Sequence, residues 1–443
     1  MQEHSGTWDN CLEYVDITDV GLRRANNQDS LACRLASDRE ELQRRGHLFM
    51  VADGMGAHAA GEKASKMAVD AVQHAYYKLP EESPEAAVVK AIEDANRQIH
   101  NWGQANLDFR GMGTTASVLV LLPERALVAH VGDSRVYRLR GNQLDQLTFD
   151  HSLVWELKAA RQIPDNEVPN YIPKNIITRS LGPSEAVEVD VEGPFPLLPG
   201  DTFLICSDGL TGQVADDEIG MILKHLPLAE AARVLVDIAL LRGGPDNISI
   251  VLVRVKGGQL ASGAPEGSSV MRVVRGPRRP IPVSIWVLLG LALLGTLLLG
   301  LGSQWTYALL PLGAFVVILI AALVFRRGPA PAGRPAGGLH GRAPHRSYVC
   351  KLDSAYVEKL SSLVQLLEEA AHNGRPDGTP YTIDWTAYHR HRDAGLQAFA
   401  RKDLSTATVE LCRALSCLMQ QLRSQSAHDV IAPAPPVADS EGH

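Results

Sequence analysis

Five aspartates sit in short motifs through the N-terminal part of the chain. They are Asn27-Gln28-Asp29, Asp53-Gly54-Met55-Gly56, Gly132-Asp133-Ser134-Arg135, Ser207-Asp208-Gly209-Leu210 and Gly244-Pro245-Asp246-Asn247. An Asp directly after an apolar strand is badly placed for a core and well placed at the rim of a sheet. A Gly after Asp frees the backbone, so its carbonyl can also face a ligand. Carboxylates and a carbonyl, with no Cys or His among them, form a hard-oxygen set. Such a set suits Mg²⁺ or Mn²⁺ rather than Zn²⁺. Each motif alone reads more readily as a turn, because Asp-Gly is a common turn dipeptide. All five together, each beside a strand, point to a metal site.

The elements that must position these residues alternate between two periods. Apolar, β-branched runs at 47–52, 116–122, 126–131, 136–140, 143–148, 202–206 and 248–255 predict strands. Helical spacing predicts helices over 61–79, 84–102, 216–226 and 228–241, with Pro84 tolerated in a first turn. Strands joined by hairpins, with helices in pairs, predict an α+β fold with antiparallel sheets rather than a doubly wound parallel sheet.

Composition bounds the class. The 443 residues carry 43 Lys+Arg against 50 Asp+Glu, a net charge of −7, and only 5% aromatics. That balance argues against nucleic acid as a partner. Six scattered cysteines form no zinc spacing and no disulfide framework, as expected for thiols in a reducing compartment. The polar start of the chain predicts no cleavable signal peptide.

Beyond a catalytic domain over 10–256, residues 257–280 read as a linker. Residues 281–325 contain no Asp, Glu, Lys, Arg or His. As one helix they would span about twice the hydrocarbon core, so the expectation is a hairpin of two transmembrane helices broken at Gly302-Ser303-Gln304. Arginines on both flanks place both ends inside. The expected localisation is therefore the inner (plasma) membrane, multi-pass, with both soluble regions cytoplasmic. A Pro/Gly/Arg linker (328–347), a helical domain (353–423) and a tail (424–443) complete the chain. Helices are expected over 353–372, 384–400 and 404–423. Ala407, Leu411, Ala414, Leu415, Leu418 and Leu422 fall on one stripe of the third. That segment suits a protein partner, self-association, or a cap on its own chain.

The ordered motifs resemble the metal-dependent Ser/Thr protein phosphatases, the PPM or type-2C family, in its bacterial branch. The matching stretches are Thr18 to Asp29, Val51 to Gly56, Gly111-Met112-Gly113-Thr114-Thr115, Val131 to Arg135, Leu147 to Ser152, Cys206 to Leu210 and Gly243 to Asn247. They cover about residues 10–256. The resemblance implies a four-layer α-β-β-α sandwich of two antiparallel sheets flanked by helices. It implies a centre of two or three Mg²⁺ or Mn²⁺ ions. Asp53 would bridge two metals, the Gly54 carbonyl would hold one, and Asp208 and Asp246 the other. Asp133 with Asp208 would serve a third metal, and Asp29 would act from behind or through water. Arg24 would bind phosphate, and a bridging water would hydrolyse phosphoserine or phosphothreonine. Phosphorylated Ser/Thr proteins, and a cognate Ser/Thr kinase, are the implied partners. Gln28 departs from a Glu common in the family, Met55 stands where animal members carry a His, and Ala57 replaces a common Gly. His58 is a candidate proton donor. The alternative is a catalytically inactive phosphatase-like membrane scaffold or binding module.

Overall fold

A computed structural model describes residues 1–56, 59–78, 82–163, 168–169, 171–173, 175–261, 341–375 and 379–429. Residues 1–265 and 339–443 form one compact unit. The second unit, 266–338, lies outside the described residues.

Two antiparallel sheets form the centre. The first has seven strands in the order β1-β2-β12-β11-β8-β9-β13. These are β1 (Gln2–Trp8), β2 (Leu12–Asp19), β8 (Arg135–Arg140), β9 (Gln143–Gln146), β11 (Thr202–Cys206), β12 (Ile248–Val255) and β13 (Arg346–Val349). The second runs β10-β7-β6-β4-β3, with β5 on the end of β4. Its strands are β3 (Asp29–Arg34), β4 (His47–Met55), β5 (Gly113–Thr114), β6 (Ala116–Leu122), β7 (Arg125–Val131) and β10 (Asp190–Pro196).

Both faces of the central strands are buried, which is why they read as continuous apolar runs. Along β12, Val251, Val253 and Val255 face the core between the sheets, whereas Ile248, Ile250 and Leu252 face the helices outside. Along β4, Phe49 and Val51 point to the inter-sheet core, and Leu48, Met50 and Ala52 to the other side. There they meet α2 (Ala60–Lys78) and α3 (Pro84–Ala105). Ser83 caps α3, accepting from the Ala86 N–H, with Pro84 next. Short helices are α1 (Arg39–Arg44), α4 (Leu153–Ala159) and α5 (Asp208–Thr211).

On the opposite face lie α6 (Asp216–His225) and α7 (Leu228–Leu241). Three further helices cover them: α8 (Ser354–Asn373), α9 (Trp385–Ala400) and α10 (Leu404–Asp429). Val357, Leu360, Val364, Leu411, Leu415 and Leu418 join the same buried cluster as Ile219, Leu235 and Ile238. The stripe expected on the third helix is thus spent mainly on its own chain. A fifth layer of helices is added to the expected four.

Three expectations change. Strand β4 continues through Asp53 and Gly54 to Met55, because β5 pairs with its end (Gly54 opposite Thr114). Arg346 and Ser347, expected in a linker, belong to β13, which pairs with β9 at the sheet edge. The expected inner-membrane placement is corrected: among the described residues no helix is long and apolar enough to cross a membrane. The described helices are amphipathic, with their apolar stripes turned to a sheet or a neighbouring helix. The expected hairpin at 281–325 lies outside the described residues, as do His58 and Ala57.

Candidate metal and phosphate site

The five aspartates meet at one end of the two sheets. Asp29 opens β3 and Asp53 lies near the end of β4, and the two are directly opposite in the ladder. Asp208 follows β11 and Asp246 precedes β12, both in the other sheet. Asp133 lies in the turn that crosses from β7 in one sheet to β8 in the other. Arg24 lies in another such crossing, between β2 and β3. Asp29 is buried, while Asp53, Asp133, Asp208 and Asp246 are partly accessible. Arg24 is half-exposed and donates from Nη2 to Asp246 Oδ2 at 2.7 Å.

The backbone around each acid is pinned. The Asp53 N–H donates to Thr115 Oγ1 at 2.8 Å, and its carbonyl accepts from the Thr115 N–H and the Thr114 hydroxyl, each at 2.9 Å. Thr115 Oγ1 also bonds Ser134 Oγ at 2.8 Å, linking Asp53 to the Asp133 turn. Gly54 has no alternative: a Cβ there would lie 2.1 Å from the Gly61 carbonyl oxygen at the start of α2. Ser207 Oγ donates to Asp29 Oδ2 at 2.8 Å. Asn247 fastens two loops together. Its amide donates to the Val20 and Asn26 carbonyls, and its oxygen accepts from the Gln28 N–H at 2.8 Å. The Asp133 turn rests on two histidines. His151 Nδ1 accepts the Gly132 N–H at 3.0 Å, and His130 Nε2 donates to the Gly132 carbonyl at 2.8 Å.

The electrostatics are those of an anionic cleft. Burial, then the charges of Asp29, Asp208, Asp133 and Asp246, pushes the Asp53 carboxyl well above its ordinary value. Burial and Asp208 raise Asp133 to about 8. Burial raises Asp29 to about 7 against the hydrogen bonds of Ser249 and Ser207. Burial and Asp246 raise Asp208. The bond to Asp246 holds the Arg24 guanidinium above its usual value. Mutual elevation of clustered acids is the mark of a site that a cation would relieve.

The residues fit a divalent cation by two further observations. Asp29 Oδ1 and Asp133 Oδ1 are buried atoms with no hydrogen-bond partner. Buried carboxylate oxygens without partners are costly unless a ligand uses them. The set is hard oxygen throughout. Among the described residues, no group of three or more His, Cys, Asp or Glu side chains is already gathered at metal-holding spacing. Arg24 already offsets Asp246.

The sequence motifs thus come together, but Thr115, Ser207, His130 and His151 had no assigned role in them. Thr115 and Ser207 lie inside the matched motifs, which was a usable signal. Nothing in the pattern around His130 marked it.

A two-sheet sandwich with an acidic cleft at its rim defines a metal-dependent phosphatase class. Residues 23–235 match the family described as protein phosphatase 2C. The protein phosphatase PhpP of Streptococcus pneumoniae serotype 2 is 39% identical over 247 residues, covering 55% of this chain and 97% of that protein. The serine/threonine phosphatase stp of Listeria welshimeri is 39% identical over 241 residues, covering 53% and 93%. A solved catalytic domain of the serine/threonine protein phosphatase PstP, in complex with two manganese ions, is 34% identical. It covers 56% of this chain and 99% of that one, at a TM-score of 0.48. The chain belongs to the protein phosphatase 2C family. It is a metal-dependent Ser/Thr phosphatase with bacterial relatives. The helices α8 to α10 lie beyond the matched segment.

Proposed function

We propose that the cleft hydrolyses phosphoserine and phosphothreonine in proteins. Asp53, the Gly54 carbonyl, Asp208 and Asp246 would hold two Mg²⁺ or Mn²⁺ ions, and Asp133 with Asp208 a third. Asp29, behind Asp53 in the ladder, would act through water, and Arg24 would bind phosphate. The observation that carries this reading is the convergence of acids from both sheets on Asp53, with two buried carboxylate oxygens left without partners. The catalytic unit would span 10–256, with 353–423 as an attached helical unit. The reaction presupposes a Ser/Thr kinase that makes the phosphoprotein.

Bound cations would supply positive charge for the phosphoryl oxygens and activate water for in-line attack. The chain supplies the rest. Arg24 stands at the rim with its guanidinium fork, which suits two phosphate oxygens better than a Lys would. Its bond to Asp246 keeps it beside the acids, so substrate phosphate would exchange one anionic partner for another. The Thr114 and Thr115 bonds fix the Asp53 backbone, which spares reorganisation as charge builds in the transition state. A cysteine nucleophile is not supported: Cys206, next to Ser207, is fully buried and burial pushes its thiol far up.

The test is phosphate release from a phosphothreonine peptide by the full chain across a Mn²⁺ titration. Release should depend on Mn²⁺ and fall about a hundredfold or more in Asp208→Asn. A folded protein that binds no Mn²⁺ and releases no phosphate would favour the scaffold reading instead.

A further inference from the structure

Helix α10 crosses α7 on a row of polar contacts. Arg413 Nε and Nη2 hold Glu230 at 2.8 and 3.2 Å. Ser416 donates to Asp237 one turn further on. Arg423 ends the row and reaches past α7, with Nη1 3.8 Å from Asp237 Oδ1. Its Nη2 pairs with Asp19 Oδ2.

Asp19 is the last residue of β2 and is 4% exposed. Its other oxygen, Oδ1, accepts the Gly21 N–H at 2.9 Å. Gly21 has φ +77°, and a Cβ there would sit 2.2 Å from the Asp246 carbonyl oxygen. The Leu22 N–H then donates to the Gly244 carbonyl at 2.8 Å. Two residues later comes Arg24, bonded to Asp246. One buried carboxylate therefore links the C-terminal helix on one oxygen to the start of the Arg24 loop on the other. The Met1 amine is a second, longer cationic neighbour of the same Oδ2, at 3.4 Å.

A buried carboxylate that loses its cation must recruit another donor or expel its charge. Either change would act on the carboxylate whose other oxygen holds the Gly21 N–H. The cavity of about 590 Å³ beside this row does not point to a separate ligand. Its arginines, Arg233, Arg413 and Arg423, are already paired with Glu3, Glu230 and Asp19.

We propose that Arg423 is a positioning residue for phosphate binding, acting through Asp19 and the Gly21 turn on Arg24. The C-terminal helices would thereby set the affinity of the cleft for phosphate. The inference rests on the reading of Arg24 as the phosphate-binding arginine.

The experiment compares full-length Arg423→Gln, Arg423→Lys, Asp19→Asn, Arg413→Gln and Arg24→Ala. KM and kcat are measured with a phosphothreonine peptide, together with inhibition by inorganic phosphate, the Mn²⁺ activation constant and Tm. Arg423→Gln should raise KM and the phosphate Ki about fivefold to tenfold, with kcat within about twofold. Arg423→Lys should recover most of the loss. Asp19→Asn should match Arg423→Gln, and the double variant should be no worse than either. Arg413→Gln, which breaks a similar ion pair away from Asp19, should lower Tm without moving Ki. Equal Tm losses in Arg423→Gln and Arg413→Gln with Ki unmoved in both would overturn the proposal and leave a purely structural dock. If Arg423→Gln does not fold, Asp19→Asn alone decides by the same readouts. Should Arg24→Ala leave Ki unchanged, the phosphate role of Arg24 fails. A raised Ki in Arg24→Ala with none in Arg423→Gln rejects only the present inference.

Discussion

Thr115 joins two parts of the acidic cleft with one hydroxyl. It accepts the Asp53 N–H and bonds Ser134, the neighbour of Asp133. Thr115→Val keeps the shape and the β-branching but removes the acceptor. A buried N–H left without a partner costs about 1–3 kcal/mol. We expect Thr115→Val to lower the urea midpoint accordingly and to raise the Mn²⁺ concentration for half-maximal activity, while Thr115→Ser preserves both. A normal Mn²⁺ requirement in Thr115→Val would show that Asp53 needs no such anchor. The acids were legible in the sequence only as an ensemble, five Asp motifs each beside a predicted strand, because each motif alone reads as a turn. Thr115 was not, because Thr at the start of a strand is ordinary. Only the pairing of β4 with β5 and β6 gives its hydroxyl a task. His130 was less legible still. Its neutrality follows from complete burial and the neighbouring His151, which bring it down to about 3 against the opposing pull of its bond to the Gly132 carbonyl.

Glu218 ties three helices through one carboxylate. Oε2 accepts the Ala215 N–H at the start of α6 and Arg242 Nη1 at 2.7 Å, just after α7. Oε1 accepts Arg242 Nη2 and, from α8, Lys359 Nζ, both at 2.9 Å. Burial pushes this carboxyl up, but the bonds from Arg242 and Lys359 win and hold it down to about 2. A depressed carboxylate stabilises the fold fully above its unfolded value, near 4.5, and that contribution disappears as pH falls through about 2. It should amount to about 3 kcal/mol. Urea midpoints of the native chain and Glu218→Gln, compared from pH 7 to pH 2, should differ by a constant gap down to about pH 5. The gap should then close; a gap independent of pH would refute the assignment. At this scale the strands with a clear period were readable within a residue or two, as with 116–122, 202–206 and 248–255, whereas α3 and α10 run past their expected ends to Ala105 and Asp429. Strand β13 was not. Its four residues alternate too briefly to show a period, and it exists because β9 offers an open edge.

The whole molecule carries more than a sandwich. Strand β13 closes one sheet edge, and α8 and α10 cover α6 and α7 with side chains that are all but fully buried. Beside β13, Arg346 stacks over Trp155 of α4 at 4.1 Å, and His345 pairs with Glu192 of β10 at 2.9 Å. The sequence showed the helices but not their destination. An amphipathic stripe states that a helix needs a partner and says nothing of which one. The destination has a consequence for the catalytic part alone. A fragment of residues 1–261 would expose the outer faces of α6 and α7 and the free edge of β9. Burying one Leu or Val side chain contributes about 1.5–3 kcal/mol. Losing the partners of several such side chains should lower Tm on the order of 10 °C. It should also create a surface that binds a hydrophobic dye and an edge prone to pairing between copies. Calorimetry, dye fluorescence and light scattering of the fragment against the full chain would register all three. An unchanged Tm without dye binding would mean that α8 to α10 are an appendage the sandwich does not need. A lowered Tm with a raised phosphate Ki, both reversed by adding the isolated C-terminal segment, would show that packing and phosphate affinity travel through the same interface.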